Sequence, residues 1–335
     1  MYNNINKNEK IDIVLLWVDG NDKEWQEEKS TYQNINGDAG KNRFRDCNNL
    51  QYVFRSIEKN APWVNKIFFI TYGHLPKWLD TSNPKLVVVN HKDYIPKKYL
   101  PTYNSNVIEL NLHRIKDLSE QFILFNDDLF LLKNTKETDF FKNGKPTDTY
   151  VEYTQLPTSY NDNHFFMKAN ILAILNKHFD KNQVKSKHFS KMINFKYGNL
   201  NFKTLYLLNN KKFSGFWNFH SPQPYLKSTF NKIWEKEKNT LDIACKNKFR
   251  NSTDLGHYLC RYWQMLEGNF QPKKDESKYF IYKNDNKEVI SAIDNEKYKY
   301  ICINDALVNI NFTKAIREVN KIFLKKFPKK SSFEK

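Results

Sequence analysis

The chain has 335 residues, enough for one large domain or two ordinary ones. It is 40% hydrophobic and contains only 9 glycines, which allows a substantial core and excludes a loop-rich or low-complexity protein. The 54 Lys and Arg residues outnumber the 37 Asp and Glu residues, which gives a formal net charge of +17. Such a charge is typical of proteins that bind a polyanion, an anionic membrane surface or a phosphorylated substrate, although a codon usage favouring Lys and Asn gives the same excess.

The 4 cysteines have neither the spacing of a zinc site nor that of a disulfide framework, so we expect free thiols in a reducing compartment. Residues 1–10 are polar and lack the pattern of a signal peptide. No apolar run approaches the ~20 residues that span a bilayer. These features predict a cytoplasmic protein, which its positive charge could hold peripherally at the inner face of a membrane.

Four continuous apolar runs in the first half predict β-strands that are covered on both faces. The runs are IDIVLLWVDG (11–20), KIFFITYG (66–73), KLVVVNH (85–91) and QFILFNDDLFLL (121–132). Between them, helical spacing of apolar residues predicts helices over 48–63 and 105–120, and Asn106 with Glu109 resembles a capping box for the second helix. Alternating strands and helices predict an α/β fold with a central, mostly parallel sheet and helices on both faces.

The second half is predicted to be mainly helical. Helices are expected at 165–179, at the end of 202–237, at 254–268 and at 311–327, and KYICINDA (299–306) is one late strand. We therefore divide the chain into an α/β core (1–150), a helical region that completes the same domain (151–330) and a frayed basic tail (331–335).

The fourth apolar run is interrupted by Asn126, Asp127 and Asp128. A buried carboxylate without a partner is costly, so the strand could end at Phe125 with both carboxylates in solvent, but apolar sequence resumes at Leu129. Carboxylate oxygens in such a place are typical of a Mg²⁺ or Mn²⁺ site. Alternation along a strand places Asn126 and Asp128 on one side, whereas a turn that begins at Asp127 would change the set of ligands.

Several polar residues follow the predicted strands directly. In parallel sheets, ligands bind beyond the carboxyl ends of the strands, so these residues should converge on one edge. They are Asp19, Tyr72, Gly73, His91 and residues 126–128. Taken alone, WVDGND (17–22) is better explained as an ordinary turn, because Asp-Gly and Asn-Asp are turn formers.

His220, in FHSPQP (219–224), could act as a general base because histidine titrates near neutral pH, or could be an ordinary surface residue. Several arginines could clamp phosphate oxygens or simply lie on helix surfaces, namely Arg43, Arg45, Arg55, Arg250 and Arg261. The sequence contains no P-loop, Rossmann glycine fingerprint, HExxH or GxSxG motif.

The order of these segments resembles the Stealth family of sugar-phosphate transferases, which includes bacterial capsule polysaccharide phosphotransferases and the animal GlcNAc-1-phosphotransferase. Segments similar to the four motif blocks of the family span nearly the whole chain: 11–22, 43–79 with 100–131, 220–230 leading to 248–263, and 299–307. Tyr103 stands where the family usually has Phe. TYGHLP (71–76) replaces a TDGQxP-like pattern and lacks its carboxylate, so we assign that loop no catalytic role.

The resemblance implies a GT-A-like fold whose first 150 residues bind a nucleotide sugar and whose second half serves the acceptor. It implies transfer of a hexose 1-phosphate, such as N-acetylhexosamine 1-phosphate from UDP-GlcNAc, to a sugar hydroxyl. The product is a phosphodiester and the leaving group is UMP. It further implies Mg²⁺ or Mn²⁺, a glycan or lipid-linked glycan acceptor, no nucleic acid, and a role in bacterial capsular or cell-surface polysaccharide synthesis.

The resemblance also implies roles for individual residues. The catalytic set would be His220 as general base, Arg250 as phosphate clamp, Asp128 on the metal with Asp127 or Asn126, Asp19 in the donor pocket and Asp305 supporting the metal or the base. The substrate-binding set would be Gly20, Arg43, Arg45, Asp46, Asn104, Ser105, His113 and Asn304.

Two other functions compete with this one. An ordinary UDP-sugar glycosyltransferase would attack the anomeric carbon and release UDP instead of UMP. A nucleic-acid-binding protein would explain the charge of +17 and the abundant aromatic residues. However, no nucleic-acid-binding module is recognisable, and the aromatic residues fall mostly in apolar, core-like segments.

Overall fold

The structure, a computed structural model, describes residues 9–32, 45–305 and 309–335. Its strands are β1 (Ile11–Leu16), β2 (Ile67–Thr71), β3 (Leu86–Asn90), β4 (Gln121–Asn126), β5 (Leu129–Leu131), β6 (Phe141–Lys142), β7 (Lys145–Asp148), β8 (Gln223–Leu226), β9 (Gln271–Pro272), β10 (Ser277–Ile281) and β11 (Tyr300–Asn304). Its helices are α1 (Lys23–Thr31), α2 (Leu50–Asn60), α3 (His91–Tyr94), α4 (Ser105–Leu110), α5 (Asn163–His178), α6 (Lys181–Met192), α7 (Asn201–Leu207), α8 (Lys227–Lys236), α9 (Lys238–Cys245), α10 (Tyr258–Leu266), α11 (Lys287–Asp294) and α12 (Phe312–Lys326).

The central sheet has five strands in the order β3-β2-β1-β4-β8. The first four are parallel and β8 is antiparallel, which confirms the predicted mostly parallel sheet. The chain moves outward from β1 to β3 and then returns to place β4 on the other side of β1. This change of direction leaves a crevice at the carboxyl ends of β1 and β4, the usual place for a ligand in such sheets. The register sets Leu16 opposite Asn126 there.

Helices cover both faces of the sheet, as predicted. Ile13 and Leu15 of β1 belong to a core that also contains residues of α2 and α12, whereas Val14 belongs to a second core with residues of α5, α8 and α10. All three side chains are buried, because successive residues of a strand point to opposite faces and each face carries its own helices.

The run 121–132, predicted as one strand, forms two. β4 ends at Asn126. Asp127 and Asp128 then form a turn, which we call the acidic turn, and β5 begins at Leu129. β5 belongs to a separate sheet of order β10-β11-β5, in which it pairs antiparallel to β11. The backbone N–H of Ile303 donates to the carbonyl of Asp128 at 2.9 Å. The late strand therefore returns to the acidic turn, as predicted.

The helix predicted over 105–120 is wrong in its extent and its cap. α4 stops at Leu110 and is followed by a single 3₁₀ turn, Leu112–Arg114. The N-cap is Asn104, whose side-chain oxygen accepts from the N–H of Asn106. This earlier start changes the role of Glu109, described below.

The prediction of a frayed tail at 331–335 is also wrong. Phe333 is buried, and its carbonyl accepts from the backbone N–H of Asp80 at 2.8 Å. The Arg55 guanidinium donates to both carboxylate oxygens of Glu334, at 2.8 and 2.6 Å. Arg55 is therefore a structural ion-pair partner of the tail and not a phosphate clamp.

The four cysteines, Cys47, Cys245, Cys260 and Cys302, are free, as predicted. None of the helices within the described ranges is long and apolar enough to cross a membrane.

Candidate active site

A cleft of about 470 Å³ opens at the carboxyl ends of β1 and β4. Its lining comes from the ends of three strands, from α4 and from the segments that contain Arg45 and Arg250. Among its lining residues are Leu16, Trp17, Val18, Arg45, Ser105, Glu109, Asn126, Asp127, Asp128, Arg250, Ile303, Asn304 and Asp305. The cleft lies at the sheet edge that the strand ends predicted.

Two residues of β11 donate hydrogen bonds to the side chain of Asp128. Its Oδ2 accepts from the thiol of Cys302 at 3.2 Å and from the amide of Asn304 at 3.4 Å. Its Oδ1 is buried and has no hydrogen-bond partner among the residues that the structure describes. An ionised carboxylate oxygen left without a donor is costly, which makes it a suitable ligand for a cation.

The two carboxyl groups of the acidic turn have raised pKa values. Burial, then the neighbouring Asp128 and Asp46, raise the pKa of Asp127 to about 7. Burial also raises the pKa of Asp128 and, with the nearby Asp19, the pKa of Asp46. Bringing a divalent cation to these carboxylates would relieve their mutual repulsion.

The described residues do not form a complete metal cage, because no group of three or more His, Cys, Asp or Glu side chains among them is arranged to hold a metal ion. Asp127 and Asp128 nevertheless fit an ion that takes one or two carboxylates from the protein and its other oxygens from a bound phosphate. Mg²⁺ commonly binds in this way.

Cationic side chains line the same cleft. Arg45 lies with its Nε 3.2 Å from Oδ2 of Asp305 and with its guanidinium 4.2 Å above the ring of Phe312. Burial raises the pKa of Asp305, while Arg45 acts in the opposite direction. Arg250 donates from Nη2 to Oγ of Ser105 at 3.0 Å. One cleft is therefore lined by two arginines and by the carboxylates of Asp127, Asp128 and Asp305.

His220 lies in a second, smaller cavity of about 40 Å³, which shares Asn126 and Asp128 with the cleft. Its ring packs on Tyr279 at a centroid distance of 4.6 Å, and its backbone has a φ of 48°. Burial, followed by the charges of Lys168 and Arg261, lowers the pKa of His220 to about 4. The imidazole is therefore uncharged at neutral pH and can accept a proton beside Asp128.

Asp19, Gly20 and Asp46 lie in turns at the edge of the cleft, between residues that line it. The backbone N–H of Asp19 donates to Nε2 of His74 at 2.7 Å, and the carbonyl of Gly20 accepts from Gln26 at 2.6 Å. These bonds fix the turn between β1 and α1. Arg43, also predicted to bind substrate, lies outside the described residues.

Two predicted substrate-binding residues serve the fold. Asn104 is fully buried, caps α4 and donates to Oδ2 of Asp254 at 2.9 Å. His113 is buried against the rings of Phe230 and Trp234, at centroid distances of 6.2 and 5.8 Å. Neither residue is among those that line the cleft, whereas Ser105 lines it.

Glu109 lines the cleft and was missed as a site residue. Its side chain is buried, and burial raises its pKa to about 8 even though Arg250 acts to lower it. At neutral pH the carboxyl group is therefore mostly protonated and can donate a hydrogen bond. The sequence signal for a buried acidic residue was the position of Glu109 between the apolar residues Ile108 and Leu110. We instead interpreted Glu109 as part of a capping box.

Two family models match the chain, Stealth protein CR1, conserved region 1, over residues 9–37 and Stealth protein CR2, conserved region 2, over residues 43–149. A capsular polysaccharide phosphotransferase, WcwK of Streptococcus pneumoniae, is 45% identical over 97% of this chain and 99% of its own length. The chain belongs to the Stealth family. The exopolysaccharide phosphotransferase cps2G of Lactiplantibacillus plantarum is 36% identical to this Stealth protein over 97% of this chain and 96% of its own length. The receptor polysaccharide phosphotransferase WefC of Streptococcus gordonii is 37% identical over 97% of this chain and 99% of its own length.

Solved structures resemble this Stealth protein only loosely. The galactosyltransferase LgtC, in complex with donor and acceptor sugar analogues, has a TM-score of 0.39 at 8% identity, over 96% of this chain and 98% of its own. The bifunctional glycosyltransferase WbbM has a TM-score of 0.34 at 9% identity, over 96% and 52%. No site residue is inferred from similarities of this size.

Proposed function

We propose that this Stealth protein transfers a hexose 1-phosphate from a UDP-sugar to a hydroxyl group of an acceptor sugar. The reaction forms a phosphodiester and releases UMP. One observation carries the proposal: the crevice between β1 and β4 brings the acidic turn Asp127-Asp128 and the cations Arg45 and Arg250 into a single cleft. The phosphotransferase names of relatives that match along nearly the whole chain support the same chemistry.

The chemistry explains why these groups are needed together. Attack on phosphorus spreads negative charge over the oxygens of the transferred group, so catalysis depends on positioning and on cations. In this proposal Arg250 binds phosphate oxygens while Ser105 orients its guanidinium. Arg45 would bind the donor beside Asp305.

A divalent ion, Mg²⁺ or Mn²⁺, belongs to the proposal. Asp128 would hold it through the buried Oδ1, with Asp127 or Asn126 as the second ligand. When bound, the ion would supply charge neutralisation at the diphosphate. Because Asp127 and Asp128 form a turn, the strand alternation that paired Asn126 with Asp128 no longer applies, and both carboxylates become available.

His220 is the proposed general base. The small cavity beside Asp128 would admit the acceptor hydroxyl, whose proton passes to the uncharged imidazole. A pKa near 4 makes the imidazole a weak base in the free protein. A bound, negatively charged diphosphate would raise that pKa, because it stabilises the imidazolium.

Mn²⁺ is expected to raise the melting temperature, and the increase should grow from about pH 6 to about pH 8, because the ion binds the deprotonated carboxylates. Without the ion, the raised pKa of Asp127, about 7, stabilises the protein at low pH, and this contribution is lost as the pH rises through that value. Differential scanning fluorimetry with and without Mn²⁺ measures both trends.

The control for this prediction is Asp285→Asn, which removes an exposed carboxylate and should leave the Mn²⁺ effect intact. The double variant Asp127→Asn/Asp128→Asn should abolish it. An unchanged, equally pH-dependent increase in the double variant would place the ion elsewhere.

The reaction itself is tested by the nucleotide that is released. A panel of UDP-sugars, beginning with UDP-GlcNAc, is incubated with Mn²⁺ and a glycan acceptor, and UMP and UDP are separated by chromatography. We expect UMP, together with a phosphodiester resonance in the ³¹P NMR spectrum of the product. Release of UDP would instead identify an ordinary glycosyltransferase, and oligonucleotide binding without turnover would favour the nucleic-acid alternative.

The setting we propose is capsular or cell-surface polysaccharide synthesis in the bacterial cytoplasm. The acceptor would be a glycan or a lipid-linked glycan, and the protein would work at the inner face of the membrane. The relatives' names support the product class, and the net charge of +17 supports a location near anionic lipid.

A further inference from the structure

The segment from residue 181 to residue 212 combines positive charge with exposed apolar side chains. It contains eight lysines and neither Asp nor Glu. Lys181 forms a buried ion pair with Glu152, while Lys191, Lys196 and Lys212 donate to backbone carbonyl groups. Lys187, Lys203, Lys211 and Lys212 are exposed.

Helix α7 turns its apolar side chains outward. Phe202 is 70% exposed and Tyr206 is 88% exposed, with Leu205 beside them at 44%. The spacing of these three residues places them on one face of the helix, while Thr204 and Leu207 are buried on the other. We call this outward face, together with the 87% exposed Phe195 that precedes the helix, the α7 face.

Lysines flank the α7 face. Lys203 lies over the rings of Tyr153 and Trp217, with its Nζ 5.5 and 5.0 Å from their centroids, and the residue is exposed. Lys211 and Lys212 follow the helix directly and are also exposed. Aromatic and aliphatic side chains bordered by lysines are the pattern of a helix that lies in a membrane interface.

We propose that the α7 face docks on an anionic phospholipid bilayer. Phe195, Phe202, Leu205 and Tyr206 enter the headgroup region, and Lys203, Lys211 and Lys212 pair with lipid phosphates. The complete lack of acidic residues over 32 positions favours an extended anionic surface over a protein partner, whose interface would present both signs of charge.

The docking has a consequence for the proposed reaction. Trp217, under Lys203, is three residues from His220, so the two Cα atoms are at most about 11 Å apart. The small cavity beside Asp128 would therefore lie near the bilayer, where a lipid-linked acceptor is found. This consequence rests on the proposed function, whereas membrane docking itself does not.

The test is co-sedimentation of the full chain with vesicles. Vesicles of phosphatidylcholine with phosphatidylglycerol should bind the wild-type protein, and vesicles of phosphatidylcholine alone should bind it much less. Phe202→Ser/Tyr206→Ser should weaken binding about tenfold or more, because two aromatic rings no longer enter the interface. The matched control, Ile243→Ser/Leu324→Ser, removes two similarly exposed apolar residues on other helices and should bind like the wild type.

Charge is tested separately. Lys211→Glu/Lys212→Glu should weaken binding about tenfold or more, since each basic residue near an anionic surface contributes about a fivefold factor. Lys287→Glu/Lys314→Glu makes the same change of net charge elsewhere and should have a small effect.

Several results would overturn the proposal. One is equal binding to neutral and anionic vesicles, and another is equal losses in the α7 and control variants. A third is a wild-type dimer that Phe202→Ser/Tyr206→Ser converts to monomer, which would make the α7 face a self-association surface. The melting temperature of each variant shows whether it is folded. Co-sedimentation does not depend on turnover, so a negative result would overturn membrane docking without bearing on the UMP assay.

Discussion

Asp128→Asn is expected to lower the rate of UMP release by about 10²–10³-fold while the protein stays folded. The asparagine keeps the shape of the side chain, and its oxygen can still accept from Asn304 and Cys302. What it cannot supply is a second, negatively charged oxygen at the buried position of Oδ1. The measurement is single-turnover UMP release together with the melting temperature.

Two companion variants sharpen this result. Asp127→Asn tests the second carboxylate of the turn, and a smaller loss there would assign the principal metal contact to Asp128. Asp285→Asn, an exposed carboxylate far along the chain, should retain full turnover. Turnover near the wild-type rate in Asp128→Asn would refute the role of this residue.

Arg261→Met should lower the free energy of unfolding by about 3–5 kcal/mol, the cost of leaving a buried charge without its partner. Arg261 is almost fully buried and donates from Nε and Nη2 to both oxygens of Asp148, each at 2.8 Å. Burial alone would raise the pKa of Asp148, but Arg261 brings the pKa below its usual value. Denaturation in urea measures the loss.

The control variants separate the buried pair from a general effect of losing an arginine. Arg317→Met removes an exposed arginine on α12 and should change stability by no more than about 0.5 kcal/mol. The double variant Asp148→Asn/Arg261→Met removes both charges and should recover part of the loss. A single variant as stable as the wild type would show that the pair contributes little.

The position of the site could be predicted from the sequence because strand ends in a parallel sheet share one edge. Asn126, Asp127 and Asp128 at the end of β4 line the cleft for this reason. Asn304 and Asp305 also line it, but β11 belongs to the second sheet and reaches the cleft because it pairs with β5. Continuous apolar runs marked these strands clearly. The family resemblance, carried by the same segments, was confirmed by the comparisons.

The orientation of individual side chains could not be predicted. One strand and two strands joined by an acidic turn have the same apolar pattern, so the break at Asp127 was hidden until the pairing of β5 with β11 was known. Arg261 and Arg250 look alike in sequence, but a buried carboxylate 113 positions away from Arg261 decides its role. Such long-range partners leave no local signal.

The remaining differences between the sequence predictions and the structure have a similar cause. His113 and Asn104 lie in a segment that resembles a family motif block, but the resemblance does not show which side chains point to the cleft. Glu109 was interpreted through its distance from Asn106, while its burial depends on how α4 packs. The lysine-rich composition near the C-terminus concealed two anchoring residues, Phe333 and Glu334.

The hydrogen bonds from β11 to Asp128 determine when the site can form during synthesis of the chain. Trp17 and Asp305 line the same cleft although nearly the whole chain separates them, so the site depends on contacts that form late and over long distances. A partly synthesised chain has its parallel strands but not Cys302 or Asn304 to orient the carboxylate. We therefore expect the nascent protein to be catalytically silent, with no premature consumption of the donor, until its last strand has been made.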